Sequence, residues 1–200
     1  MQEIRDEYLT VADKSEGLYK EKGSKFIALC FPVSNEEEIH SILDKLRKEY
    51  HDARHHCYAY RLGVNDDRYR MNDDGEPGGS AGRPIFGQIL SNDLTDVLIV
   101  VIRYFGGIKL GMGGLAAAYK AASKESIENA NIIKKIITKK ITICFEYPLM
   151  NEVMRTIKEH GLRIVNQAFT TDCRVTLEAR VKQYNLLVSI FGKIHGVKIE

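Results

Sequence analysis

Asp96-Val-Leu-Ile-Val-Val-Ile-Arg-Tyr-Phe-Gly-Gly-Ile-Lys-Leu-Gly-Met-Gly-Gly-Leu115 is the stretch on which the fold turns. Its first seven residues hold an unbroken apolar run of strand length, which predicts a central strand covered on both faces. Arg103 to Leu115 then forms a glycine-rich loop, and an alanine-rich helix follows at about 113–130. Ala116, Ala117, Ala118, Ala121 and Ala122 are small enough to let that helix pack close to a sheet.

Upstream, Phe26 to Phe31 and Cys57 to Leu62 read as strands. Between them, Ser34-Asn-Glu-Glu37 has the spacing of a capping box. Ile39, Ile42, Leu43, Leu46 and Tyr50 recur at helical intervals, which predicts an amphipathic helix over 35–50. Downstream the pattern changes. Ile141, Ile143 and Phe145 alternate with polar residues, as in a half-buried strand. Pro148 can open a helix whose apolar face is Leu149, Met150, Val153, Met154 and Ile157, with Gly161 as its stop. Arg163 to Phe169 and Cys173 to Val181 read as two more strands, followed by a short helix through Leu187 to Ile194 and a closing strand, Val197 to Ile199. Strand, helix, strand, strand, helix, strand is the order of a ferredoxin-like βαββαβ unit. The expected class is α+β, with domains at 1–132 and 136–200.

The 200 residues are 44% hydrophobic and 28% charged, which suits a globular chain. No apolar run approaches the ~20 residues that span a bilayer. MQEIRDEYLT lacks the apolar core of a secretory signal, so a cytoplasmic protein without membrane association is expected. Four separated cysteines (Cys30, Cys57, Cys144, Cys173) without a CxxC pair read as reduced thiols. Charge is uneven. Residues 1–133 carry 17 Lys+Arg and 21 Asp+Glu, net −4, and residues 134–200 carry 12 and 6, net +6. The basic C-terminal part fits RNA, an acidic partner, or a solvated face.

Ten of the 16 glycines lie between Gly75 and Gly114, in two loops: Asn72 to Gly82 and Arg103 to Leu115. Glycine destabilises regular elements, so the clustering marks positions that need unusual backbone or close approach. The second loop leads into a helix N-terminus, where free N–H groups favour an anion. Arg103 and Lys109 add positive charge beside it. The alternative is a turn that only orders the fold.

Two motif matches fail on context. Gly111-x-Gly113-x-x-Ala116 fits a dinucleotide fingerprint, but the region near Ile132 reads as helix end and linker rather than the second strand that the fingerprint requires. Gly78-x-Ser80-x-Gly82 fits a nucleophile elbow, but acidic residues and Pro77 precede it where a strand is needed. Ala53, His55, Cys57 and Ala59 share one strand face, with His55 and Cys57 about 7 Å apart. They read as packing, a ligand-facing pair, or two members of a metal site. Asp73, Asp74 and Glu76 would hold Mg²⁺, act as acid and base, or cap the helix near 80–89. No metal or cofactor is assigned.

Together these residues resemble the YigZ/IMPACT family. The resemblance rests on Gly23-Ser-Lys-Phe-Ile27, Ala53-x-His-x-Cys-x-Ala59, Asp73-Asp-Gly-Glu-Pro77 with Ser80-Ala-Gly-x-Pro84, and Val100-Val-x-Arg-Tyr-Phe-Gly-Gly-Ile-Lys-Leu-Gly111 with Gly113-Gly-Leu115 and Ala118-Tyr119. It is strong over about the first 130 residues. It implies an N-terminal domain like the second domain of a ribosomal protein, as in elongation factor G domain IV, and a ferredoxin-like C-terminal domain. Eukaryotic IMPACT proteins influence a stress kinase that controls translation initiation. For bacterial members the resemblance implies nucleic-acid or ribosome binding through the glycine-rich loops.

The leading expectation is therefore a translation-associated regulatory protein that binds RNA or the ribosome, with a further protein partner in translation control. Its contacts would be Ser80, Arg103, Lys109 and the backbone of Gly106, Gly107, Gly111, Gly113 and Gly114, extended by Arg163, Arg174 and Arg180. The rival is an enzyme acting on a phosphorylated small molecule, with His55, Asp74 and Glu76 as catalytic candidates and Arg103 as anion clamp; turnover lost in a folded Asp74 or Glu76 variant would favour it. A protein–protein adaptor is the third reading, marked by a co-purifying partner without RNA affinity or turnover.

Overall fold

A computed structural model describes residues 6–64 and 68–200. The elements in chain order are β1 (Glu7–Val11), β2 (Ser15–Glu21), β3 (Ser24–Pro32), α1 (Glu36–Glu49), β4 (His55–Arg61), β5 (Tyr69–Asn72), α2 (Gly82–Ser91), β6 (Val97–Tyr104), α3 (Gly111–Glu128), β7 (Ile132–Ile136), β8 (Thr138–Phe145), α4 (Met150–Glu159), β9 (Arg163–Phe169), β10 (Cys173–Arg180), α5 (Val181–Gly192) and β11 (Lys198–Ile199). The chain divides into two compact units, Tyr8–Lys135 and Ile136–Glu200, the latter joined by the segment that ends at Glu7.

In the first unit five strands form one sheet in the order β2-β3-β6-β4-β5. Every ladder in it is antiparallel. The apolar run of β6 has the cause expected of it, since its side chains alternate between two cores. Val97, Ile99 and Val101 pack with Ile85 and Ile89 of α2 and Leu115, Tyr119 and Ala122 of α3. Leu98, Val100 and Ile102 pack with Ile39, Leu43 and Leu46 of α1. Helices on both faces let an antiparallel sheet carry the continuous apolar strand more usual of parallel ones. The alanines do their expected work on the β2 side. Ala118 and Ala122 are buried, and a Cβ at Gly17 of β2 would lie 2.6 Å from the Ala122 carbonyl oxygen.

The α1 cap sits one residue later than the sequence spacing suggests. Asn35 is the N-cap and its Oδ1 accepts the Glu38 N–H at 2.8 Å, while the Glu38 carboxylate accepts from the Ser34 N–H and hydroxyl. Asn is as good a cap as Ser, so the backbone selects whichever lies at the helix start. The region at Ile132, read as helix end and linker, is strand β7. It pairs with β1 in a separate two-stranded sheet, not beside β6, so a dinucleotide unit still lacks its second parallel strand.

In the second unit β8, β9, β10 and β11 form an antiparallel sheet in the order β11-β8-β10-β9. Ile141, Ile143 and Phe145 of β8 and Cys173, Val175 and Leu177 of β10 bury against Val153 and Ile157 of α4 and Leu187 and Phe191 of α5. Pro148 lies in a single 3₁₀ turn, Tyr147–Leu149, and α4 proper starts two residues later. Among the described residues no helix is long and apolar enough to cross a membrane.

Candidate functional site

The first glycine loop is built on its own carboxylates. Asp73 Oδ1 accepts the N–H groups of Ala81 and Gly82 at 2.9 and 2.8 Å, and Oδ2 accepts that of Gly79 at 2.8 Å. Ala81 is the N-cap and Gly82 the first residue of α2, so Asp73 caps the helix and is not a free acid, while its bond to Gly79 braces the loop before it. Asp74, at φ +41°, turns the chain so that its Oδ2 accepts the His56 N–H at 2.6 Å and its carbonyl meets His55 Nδ1 at 2.8 Å. Ser80 is buried and donates to the Pro77 carbonyl at 2.6 Å, which makes it a loop brace and takes it off the surface.

Burial alone would raise the Asp73 carboxyl, but its three backbone N–H partners outweigh that and hold it below the ordinary value. A depressed folded-state value contributes stability that is present above the unfolded value of about 3.9 and is lost as pH falls through the folded one. Asp73→Asn should cost about 1–2 kcal/mol at neutral pH and should flatten the acid limb of a urea-midpoint series. Parallel curves for the two proteins into acid would remove Asp73 from this role.

Glu76 points the other way, into the fold. Its Oε1 accepts Arg103 Nη1 at 2.5 Å and the Tyr119 hydroxyl at 2.8 Å. The Cys57 thiol donates to the Asp73 carbonyl at 3.0 Å and lies 3.3 Å from the Tyr119 hydroxyl. The Glu76 and Arg103 side chains are only 3% and 7% exposed. Burial, with the Cys57 thiol and the Glu76 carboxylate beside it, keeps the Tyr119 phenol protonated. Burial likewise pushes the Cys57 thiol up to about 12, so it is no nucleophile. Sheet register assembles this group: β3 and β4 flank β6 and set Phe26 and His55 on either side of Arg103. The guanidinium lies 5.6 Å from the Phe26 ring and 5.6 Å from the Phe105 ring.

The second loop docks on the turn between β2 and β3. The Gly106 N–H donates to Ser24 Oγ at 3.1 Å, and a Cβ at Gly106 would lie 1.9 Å from the Gly23 carbonyl carbon. Gly106 is thus a point of backbone contact, and Gly107 and Gly111 adopt positive φ. Helix α3 begins at Gly111 with no side-chain cap and no acidic residue in its first turn, where Gly113 and Gly114 also lie.

The two loops and the start of β4 enclose a pocket of about 540 Å³. Arg54, His55, Glu76, Arg103 and Lys109 line it, with Phe105, Leu110, Met112 and Leu115 as apolar wall. The pocket therefore brings His55 and Glu76, from the catalytic candidates, together with Arg103, Lys109 and Gly111, from the phosphate-contact candidates. The structure places other residues elsewhere. The Asp74 carboxylate is spent on a backbone N–H. Arg163, Arg174 and Arg180 belong to the second unit, each beside a carboxylate: Glu178 at 3.5 Å, Glu200 at 3.1 Å and Glu7 at 3.6 Å. Arg103 as a free clamp needs correction, because it is the buried partner of Glu76. Its signal was available: Arg103 continues the face of Ile99 and Val101, which is a core face. Arg54, Phe105, Met112 and Tyr119 are site residues to which the sequence assigned no role. Among the described residues no three metal-ligating side chains converge.

The family model for the Impact N-terminal domain matches residues 22–127. IMPACT family member YvyE of Bacillus subtilis is 34% identical over 152 residues, covering 76% of this chain and 70% of the relative. IMPACT family member YigZ of Escherichia coli is 32% identical over 178 residues, covering 86% and 87%. A crystal structure of a hypothetical protein superposes with a TM-score of 0.74 at 24% identity, over 98% of this chain and 97% of that one, which is a likeness of fold.

Proposed function

The chain belongs to the IMPACT family, and on that premise we propose that it is a translation-associated regulatory protein that binds RNA or the ribosome at the pocket between its two glycine-rich loops. One observation carries the reading. The rim of the pocket collects positive charge, and Glu76 is the one carboxylate among the described residues that line it. Arg54 and Lys109 are exposed on it, and neither forms an ion pair with a described residue. The uncapped α3 N-terminus adds its N–H groups and dipole on the same side. Glu76, the acid in the wall, is already neutralised by Arg103.

Phosphate contact would come from Lys109, Arg54 and the α3 N–H groups of Gly111, Gly113 and Gly114, with Arg103 behind them holding the wall. The βαββαβ order and β11-β8-β10-β9 arrangement of the second unit support the ferredoxin-like reading, and with it the likeness to a translation factor's domains. Binding of the purified protein to ribosomes and to a short structured RNA across a salt series tests the proposal. Wild type should weaken steeply with salt. Arg54→Ala/Lys109→Ala should weaken binding at low salt and reduce the log–log slope by about 1–2, one phosphate contact per lost cation. If wild type binds neither target at low salt, the proposal fails.

A further inference from the structure

The pocket carries more apolar surface than a phosphate site requires. Phe105 is 53% exposed, on a loop whose position is fixed by the Gly106 contact to the β2–β3 turn, and Met112, in the first turn of α3, is 61% exposed. Exposed aromatic and thioether side chains gathered at a concave site mark a surface meant for a partner. One side of the Phe105 ring is backed by the Arg103 guanidinium at 5.6 Å, which holds the ring in place for a planar group. Lys109 and Arg54 stand at the same rim. The ligand that meets both demands has a flat, weakly polar face joined to an anion by a short linker.

His55 adds a directional group. Its Nδ1 lies 2.8 Å from the Asp74 carbonyl, which can only accept, so the ring proton is on Nδ1. In the neutral ring Nε2 is then a hydrogen-bond acceptor at a pocket-lining residue. A pocket of about 540 Å³ suits one small ligand and not a base-paired helix.

We infer that the pocket seats one unstacked nucleotide of single-stranded RNA, its base against Phe105 and Met112 and its phosphates on Lys109, Arg54 and the α3 N-terminus. This rests on the reading above that the site binds RNA, and goes past it in requiring the base as well as the backbone. Aromatic stacking of this kind tolerates every base, because each has a π-face.

The test is fluorescence anisotropy at low salt with a short single-stranded oligoribonucleotide, the same strand with abasic sites, a blunt duplex of equal length, and a free nucleoside monophosphate as competitor. The abasic strand should bind wild-type protein roughly ten- to a hundredfold more weakly, the contribution of a stacked base. Phe105→Ala should lose a similar factor on the intact strand, Phe105→Tyr should restore it, and the duplex should bind more weakly than the single strand. A monophosphate that competes, with the same dependence on Phe105, supports the seat and adds free nucleotide as an occupant. Equal binding of abasic and intact strands by wild type overturns the seat while leaving the phosphate site standing. Absence of binding to every strand overturns both.

Discussion

Glu76→Ala should lower the unfolding free energy by about 3–5 kcal/mol, the usual loss when one partner of a buried ion pair is removed. The Arg103 side chain is 7% exposed, and its Nε already has no hydrogen-bond partner. Without Glu76 the guanidinium keeps its charge and loses the carboxylate it pairs with, leaving it beside the Phe26 and Phe105 rings. Tyr119, also fully buried, loses the acceptor of its hydroxyl at the same time. For a chain of 200 residues the change in midpoint should be on the order of 10 °C. Glu76→Gln keeps an acceptor for both donors and should lose less. Glu76→Met/Arg103→Met, which removes both charges, should recover most of the loss, so a double-mutant cycle gives a large coupling. A Glu76→Ala loss below about 1 kcal/mol would mean that the pair is screened by water and is no part of the core.

The second large effect belongs to Gly106→Ala. Its Cβ would sit 1.9 Å from the Gly23 carbonyl carbon and 2.2 Å from the Ser24 nitrogen. These are backbone atoms of a tight turn, so no side chain can swing away. Either the second loop lifts from the β2–β3 turn, breaking the Gly106 N–H to Ser24 bond, or the turn deforms. Overpacking of this kind costs about 1–3 kcal/mol and sometimes more. The consequence reaches function, because Phe105 and Lys109 ride on the same loop. Gly106→Ala should therefore lose stability by urea denaturation and also lose RNA affinity beyond what its folded fraction explains. Gly113→Ala is the comparison: its Cβ would meet nothing within 4 Å, so it should leave stability unchanged or raise it slightly, by the helix preference of alanine.

Elements with a strong hydrophobic rhythm were the most legible from the sequence. β6, β8, β10 and the apolar faces of α1 and α4 each bury side chains at the period of their own backbone. The strands that the reading does not find are β1, β2, β5 and β7. β5 is exposed along nearly its whole length and β7 likewise, while β2 buries only Ser15 and Gly17. Such strands have little pattern of their own. β2 and β5 are held as the hairpin partners of β3 and β4, while β1 and β7, far apart in sequence, pair with each other.

The sequence by itself determined the two glycine-rich loops, the apolar strand and alanine-rich helix on either side of the second, the element order of the C-terminal unit, and the family. All of these are local: spacing, composition and contiguous motif. Capping was one of the roles the sequence offered the acidic group, and the structure gives it to Asp73. Tertiary structure decided the rest: Ser80 became a buried brace, and Arg103 the buried partner of an acid 27 positions away. Arg54, carried by no motif, came to stand at the rim with Lys109. The physical reason is that a charged side chain's role depends on its desolvation and on the charge opposite it. For Arg103 both are set by the β3-β6-β4 register, which places Phe26 and His55 on either side of it.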